Sequence, residues 1–392
     1  MGSQHPPDGA ARWRTAPGMI LATVVLMLTG CAQAVPQVAL SPASSGPVPW
    51  DRPVVLSGTN GRMISVEVHG SPRPVTGTIS QDGQQWTSQG LLTPDTTYTA
   101  QVRLRSSGTT VVRQVTFSTQ PAQRIVHPQF FTGPDQIVGV GTALIVHFDQ
   151  PVSDKAAVEQ AMKIQTSVPV DGAWHWFSPT EVHYRPPQYW PAHTSVHVTA
   201  ALTGVYAGDG AWGDRGHDFT FSIGDAHRSV VDAAGHTIKV YDNGTLVRTM
   251  PTSLGKPRFQ TRNGTYVALE KRRTVQMTSC SAGITCDAGN ANYYDLTVHW
   301  NVRLTNSGAF IHAAPWSVQA QGSENVSHGC INLSPVNAAW FYHFTQPGDV
   351  VQVVHSTRGP EDLIRRGDPG MADWNISWND WLNGSAVRAS AH

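Results

Sequence analysis

The sequence predicts a mainly β protein: two tandem β-sandwiches, then a third β-rich domain with one short helix and a Trp-rich C-terminal segment. Three observations predict it. Two-residue alternation of apolar and polar side chains runs through 63–68, 97–104 and 111–117. It recurs at 143–148 and 195–200, and again at 237–241, 245–250 and 296–302. Turn residues separate these runs, as in Gln81-Asp82-Gly83-Gln84, Ser106-Ser107-Gly108 and Asp242-Asn243-Gly244. The chain has 392 residues, more than one ordinary core holds, so two to three domains are expected.

Charge narrows the partners. Lys+Arg and Asp+Glu balance at 27 each, and only 14% of residues are charged. There is no basic stripe, which argues against nucleic acid.

Residues 1–30 read as an export signal. Arg12 and Arg14 precede an apolar run, 19–28, that is short for a bilayer span. The run ends in Leu28-Thr29-Gly30-Cys31, which resembles the bacterial lipobox and makes Cys31 the expected lipidation site. An ordinary secretory peptide cleaved near Ala32-Gln33-Ala34 is the alternative. Both place the protein outside the cytoplasm, and the first anchors it to the outer face of the plasma membrane. Residues 31–49, rich in Pro, Ser and Ala, read as a flexible tether.

Residues 50–121 form the first expected sandwich. Leu92-Thr93-Pro94-Asp95-Thr96-Thr97-Tyr98 resembles the tyrosine corner of an immunoglobulin-like fold, where a Tyr hydroxyl pins a loop. Residues 122–223 repeat the grammar. They include a short helical insertion at 154–162 and an echo of the corner in Tyr189-Trp190-Pro191-Ala192-His193-Thr194. His147, His175, His183, His193 and His197 lie scattered on strands, so satisfied or exposed histidines are expected rather than a ligand set. Trp174, Trp176 and Trp190 are expected in the core rather than stacked on sugars.

The third domain spans 224–354. Asp242-Asn243-Gly244 is a strong hairpin signal. Cys280 and Cys286 sit in a long polar loop suited to a lid; their spacing allows a small disulfide, with a metal half-site as the alternative. Ser334-Pro335 reads as an N-cap followed by Pro in the first turn of a helix over 336–344. In 355–392, Trp374, Trp378 and Trp381 share one face of a single helix expected to dock on the third domain, with carbohydrate or membrane-surface binding as the alternative.

The chemistry gathers in Ser327-His328-Gly329-Cys330-Ile331-Asn332. Fourteen residues separate it from His312, which ends Gly308-Ala309-Phe310-Ile311-His312. With Cys31 assigned to lipid and Cys280 to Cys286, Cys330 is the remaining thiol. A thiol nucleophile needs a base and donors for an oxyanion. His312, at the end of a strand and projecting from a sheet edge, is the candidate base. A loop just before a helix would add backbone N–H groups near the sulfur, and Gly329 would allow close approach.

These residues resemble the active-site signature of bacterial L,D-transpeptidases (the YkuD-type catalytic domain). So do Ala314-Pro315-Trp316-Ser317-Val318 and Met250-Pro251-Thr252-Ser253-Leu254-Gly255-Lys256, which look like the mycobacterial-type enzymes. The resemblance implies Cys330 as nucleophile and His312 as base, oriented by the Ala313 backbone carbonyl. It implies Tyr294 as a wall and oxyanion aid beside the Gly329 and Cys330 amides. His328, Asn332, Trp316 and Ser327 are implied around the substrate, with Ser327 as a loop hydrogen-bonder. Ala313 stands where close relatives often have Ser, and the paired lid cysteines depart from the family's pattern. The implied reaction releases D-Ala from a tetrapeptide stem by cleaving the meso-diaminopimelate–D-Ala bond. A neighbouring stem then resolves the acyl-enzyme as a 3→3 cross-link in peptidoglycan. Carbapenems would acylate the same thiol, and neither metal nor organic cofactor is implied. The competing readings are an L,D-carboxypeptidase or endopeptidase, a zinc peptidase using His312, His328 and Cys330, and a non-enzymatic wall-binding lipoprotein.

Overall fold

The computed structural model describes residues 34–41 and 46–389. The export signal and Cys31 lie outside them. Among the described residues no helix is long and apolar enough to cross a membrane.

The first unit packs two antiparallel sheets. One orders Gln37–Ser41, Val55–Thr59, Gln85–Gln89 and Thr76–Ile79; the other orders Arg62–His69, Thr97–Ser106 and Thr109–Ser118. Alternation puts Leu56, Trp86, Val102 and Leu104 inside. Ser107 and Gly108 both take positive φ, as a two-residue hairpin turn of the right twist requires. The Tyr98 hydroxyl accepts from the Thr93 backbone N–H at 2.7 Å, forming the corner. The stretch expected as a flexible tether is corrected in part: Gln37–Ser41 pairs in register with Val55–Thr59. Its Val38 and Leu40 pack against the core, which outweighs the Pro/Ser-rich surroundings.

The second sandwich faces Ala173–Ser178, Glu181–Arg185, Leu144–Phe148 and Pro128–Phe130 against a sheet containing Met162–Thr166, Ser195–Ala200 and His217–Ile223. Asp154 caps the inserted helix Lys155–Ala161 by accepting from Ala157 N–H. Trp174, Trp176 and Trp190 are core residues. The echoed corner is built differently, with Trp190 Nε1 donating to the Thr142 carbonyl and Thr194 Oγ1 to the Pro191 carbonyl.

The third unit has a five-stranded sheet ordered Thr245–Pro251, Thr237–Asp242, His227–Asp232, Val350–Val354 and Gly264–Val267. A four-stranded sheet orders Glu270–Thr278, Asp295–Arg303, Phe310–Ala313 and Ile331–Leu333. Ile238, Tyr266, Val302, Ile311, Ile331 and Val351 fill the space between them, with Phe341 of the helix Pro335–Phe344. Ser334 caps that helix by accepting from Asn337 N–H. Phe310–Ala313 is an inner strand, not a sheet edge, because Ile331–Leu333 adds in parallel outside it: Ile311 pairs Ile331, His312 pairs Asn332 and Ala313 pairs Leu333.

The C-terminal segment departs most from expectation. Trp374 lies on Ala372–Asn375, whereas Trp378 and Trp381 lie on a separate helix, Trp378–Asn383. Ile376 is extended, and Ser377 caps a fresh start by accepting from Asp380 N–H. The tryptophans dock on the second sandwich rather than the third domain. Trp381 Nε1 donates to the Ala173 carbonyl, its ring stacks on His175, and the Arg185 guanidinium lies 4.3 Å from its centroid. Asn375 grips the third domain instead, bonding both backbone groups of Thr265. The tail thus straps the two units together.

Candidate active site

A cleft of about 840 Å³ opens in the third domain, and Cys330 is part of its lining. Its lining brings together Tyr294, His312, Trp316, Ser327, His328, Gly329, Cys330 and Asn332 from three separate stretches of chain. The parallel ladder explains why. Pairing Phe310–Ala313 with Ile331–Leu333 sets His312 on one strand beside the turn that ends in Cys330 on its neighbour.

His312 is buried, 4% exposed, and its Nδ1 donates to the Ala313 carbonyl oxygen at 2.9 Å. A carbonyl can only accept, so Nε2 is the unprotonated nitrogen. The acceptor is backbone, so Ala in place of Ser leaves this contact intact. Burial holds the imidazole below its ordinary pKa, against the Ala313 contact that raises it. The Trp316 ring lies 6.0 Å from the imidazole and is 53% exposed on the rim.

Cys330 differs from the expected picture in two ways. A short strand, Ile331–Leu333, separates it from the helix, so Cys330 does not sit in a loop running directly into that helix. Burial therefore dominates and pushes the thiol up to about 11, opposed by the Phe310 backbone N–H. The sulfur lies 3.8 Å from the Gly308 carbonyl oxygen, a thiol-donor contact.

The turn that carries Cys330 is braced from within. Ser327 Oγ donates to the Cys330 carbonyl at 2.7 Å and accepts from Gly329 N–H at 3.0 Å. The Gly329 amide, expected as an oxyanion donor, is thus occupied here. Gly329 takes φ +123°, a conformation that only glycine adopts readily. Asn332 is buried and Nδ2 donates to Ser317 Oγ at 3.1 Å, which makes it a brace between the ladder and the following turn.

Tyr294 and His328 form the opposite wall, with ring centroids 5.2 Å apart. Burial, and then the nearby Cys330, push the Tyr294 hydroxyl up to about 12, so it stays a hydrogen-bond donor. His328 Nε2 meets Asn292 Oδ1 at 3.2 Å, and Lys256 Nζ donates to the same oxygen at 3.1 Å. Burial and the Lys256 charge lower the His328 pKa.

The lid is the segment between Glu270–Thr278 and Asp295–Arg303. Cys280 and Cys286 are disulfide-bonded, and residues 281–284 inside that ring line the cleft. At its base Ser279 Oγ donates to the Thr285 carbonyl and accepts from Tyr294 N–H.

Sequence reasoning missed Thr261, Phe259 and Asn292. Thr261 Oγ1 donates to the Gly329 carbonyl and accepts from Gly255 N–H, tying the 255–261 loop to the turn that carries Cys330. Phe259 packs edge-on to His328. Their contacts are long-range, and no local pattern marks them. The zinc reading gains nothing from the structure, because His312, His328 and Cys330 are not a set whose donor atoms gather within 4.8 Å of one another. Among the described residues the gathered set is Asp225, His227 and Asp242, and His227 Nδ1 is already bonded to Asp349.

Comparison with known proteins gives two family matches: a bacterial Ig domain over residues 45–206 and an L,D-transpeptidase catalytic domain over 226–353. L,D-transpeptidase 2 of Mycobacterium tuberculosis (strain CDC 1551 / Oshkosh) is 36% identical over 337 residues, covering 86% of this chain and 81% of that protein. L,D-transpeptidase 5 of Mycobacterium tuberculosis (strain ATCC 25618 / H37Rv) is 34% identical over 347 residues, covering 86% and 71%. The solved structure of LD transpeptidase LdtMt1 in complex with imipenem is 40% identical, with a TM-score of 0.52, over 59% of this chain and 99% of that one.

Proposed function

Because the chain belongs to the L,D-transpeptidase family, we propose that Cys330 is the nucleophile of a peptidoglycan cross-linking reaction and His312 its base. The enzyme is an acyltransferase acting on stem peptides outside the cytoplasm. The carrying observation is the buried His312, with Nδ1 committed to Ala313, lining one cleft with Cys330.

The thiol turns from Gly308 and gives its proton to His312 Nε2 as sulfur attacks the carbonyl joining meso-diaminopimelate to D-Ala. The Cys330 amide and the Tyr294 hydroxyl are the proposed donors to the oxyanion. The Gly329 amide joins them only by leaving Ser327. Collapse breaks the C–N bond, and His312 returns the proton to the departing D-Ala amine. A side-chain amine of a second stem then attacks the thioester, passes its proton through His312, and restores the thiol as a 3→3 cross-link forms. His328, Trp316 and the lid line the stem, while Asn332 and Ser327 hold the turn. Cys31, if lipidated, anchors the enzyme to the membrane it faces.

The test is mass spectrometry. The purified ectodomain, incubated with a disaccharide tetrapeptide, is expected to yield cross-linked dimer with loss of D-Ala. A carbapenem is expected to add one adduct, at Cys330. Tripeptide without dimer would make the protein a carboxypeptidase, and an unmodified Cys330 after long incubation would remove the thiol mechanism.

A further inference from the structure

The cleft is chemically lopsided. Four arginines, Arg258, Arg262, Arg358 and Arg366, line it with a single carboxylate, Asp362. Asp362 is already claimed: Arg262 Nε and Nη2 bond its two oxygens at 2.7 and 2.5 Å, and Arg358 lies 3.9 Å away. Among the described residues Arg258 and Arg366 make no ion pair, and both are exposed at the cleft.

Their placement is built. Arg258 holds φ +74°, a left-handed backbone uncommon for a non-glycine residue. It sits in a turn closed by Phe259 N–H on the Lys256 carbonyl. Thr261 clamps that loop to Gly329, the neighbour of the nucleophile. The Arg262–Asp362 bond ties the same loop to the helix Glu361–Arg365, whose C-cap is Arg366. The backbone segments that carry the two guanidiniums are therefore tied by hydrogen bonds to the turn of Gly329 and to each other.

We infer that Arg258 and Arg366 form a carboxylate-binding subsite of the cleft, taking a free carboxylate of the stem peptide being processed. Guanidinium suits this role because it is permanently charged and pairs with a planar carboxylate through two parallel N–H donors. The inference rests on the transpeptidase reading and adds a substrate determinant to it. A tetrapeptide stem offers two carboxylates near the scissile bond: the C-terminal one on D-Ala and the second one on meso-diaminopimelate.

The experiment compares kcat/KM for three disaccharide tetrapeptide donors with the full ectodomain: the free acid, the D-Ala amide, and the amide of the second diaminopimelate carboxylate. The free acid is expected to exceed one of the amides by about tenfold, the scale of a charge-assisted bond, and that amide identifies the carboxylate bound. In Arg258→Gln/Arg366→Gln the ratio is expected to fall towards one. A cooperative melting transition and an unchanged circular dichroism spectrum of the same variant check that it is folded. Equal turnover of all three donors by the unmodified enzyme would overturn the subsite, as would a ratio that survives in the folded variant. Turnover of none of them would remove the transpeptidase reading and this inference together.

Discussion

His312 is locked by its own successor: Nδ1 donates to the Ala313 carbonyl oxygen at 2.9 Å, so the ring can neither flip nor change tautomer without losing that bond. Burial lowers the His312 pKa while it pushes the Cys330 thiol up to about 11. Both shifts disfavour a resting thiolate–imidazolium pair. On the proposed mechanism the proton is then expected to move during attack rather than before it. The acid limb of kcat/KM is expected below the ordinary histidine value of about 6.5, since the neutral imidazole is the active form. Alkylation of Cys330 by iodoacetamide should keep rising well above pH 8. A rate already flat at pH 7 would reveal a preformed ion pair. His312→Ala is expected to lower kcat about 10²- to 10⁴-fold.

Ser327 Oγ bridges the Gly329 amide and the Cys330 carbonyl. Ser327→Ala frees the amide for an oxyanion but loosens the turn that aims the sulfur. Loss of aim is expected to win, lowering kcat about tenfold with a smaller change in KM, because positioning errors near the reacting atom are costly. Steady-state kinetics on this variant measure the balance, and a raised kcat would show that the bond to Ser327 restrains catalysis.

The lid disulfide closes a short ring whose interior residues line the cleft. Cys280→Ser/Cys286→Ser is expected to cost about 2 kcal/mol of stability at most, since short rings remove little unfolded-chain entropy. Its larger effect is expected on KM, because 281–284 lose their frame while Ser279 still ties the base. A free-thiol count on unreduced ectodomain lacking the export signal and Cys31 should read one. A reading of three would mean the bond is absent in solution.

His183 is fully buried between Asp373 of the tail, at 2.7 Å, and Glu181, at 3.1 Å. Burial disfavours its charge, but the two carboxylates outweigh it and hold the pKa at about 9. The folded value exceeds the unfolded one of about 6.5. Its stabilisation is thus fully present below about pH 6.5 and is lost as pH rises through 9. Melting temperature should fall over that window, and Asp373→Asn should flatten the fall while costing about 3 kcal/mol at pH 6. Trp381→Ala, in the same seam, is expected to cost about 3–5 kcal/mol. A melting curve unchanged by either variant would mean the strap carries no stability.

Local pattern carried much of the fold. Alternation and Asn243-Gly244 define the hairpin of Thr237–Asp242 with Thr245–Pro251, because strand period and turn backbone are set by neighbouring residues. Ser334-Pro335 foretold the start of the helix Pro335–Phe344 for the same reason. Tail helicity was legible as period, but its break was not: Ser377 had to find Asp380, and the two halves had to find different partners.

By itself, then, the sequence determined the β-rich order of the units, the family signature joining His312 to Cys330, and the candidate disulfide. All of these follow from residue type and spacing along the chain. Tertiary structure alone decided which strand lies beside which, and so the parallel ladder that sets His312 inside a sheet rather than at its edge. It also decided the burial that raises the thiol pKa, the occupied Gly329 amide and the arginines in the lining of the cleft. Burial and long-range hydrogen bonds are properties of a surface closed by distant segments, and no local stretch of chain encodes them.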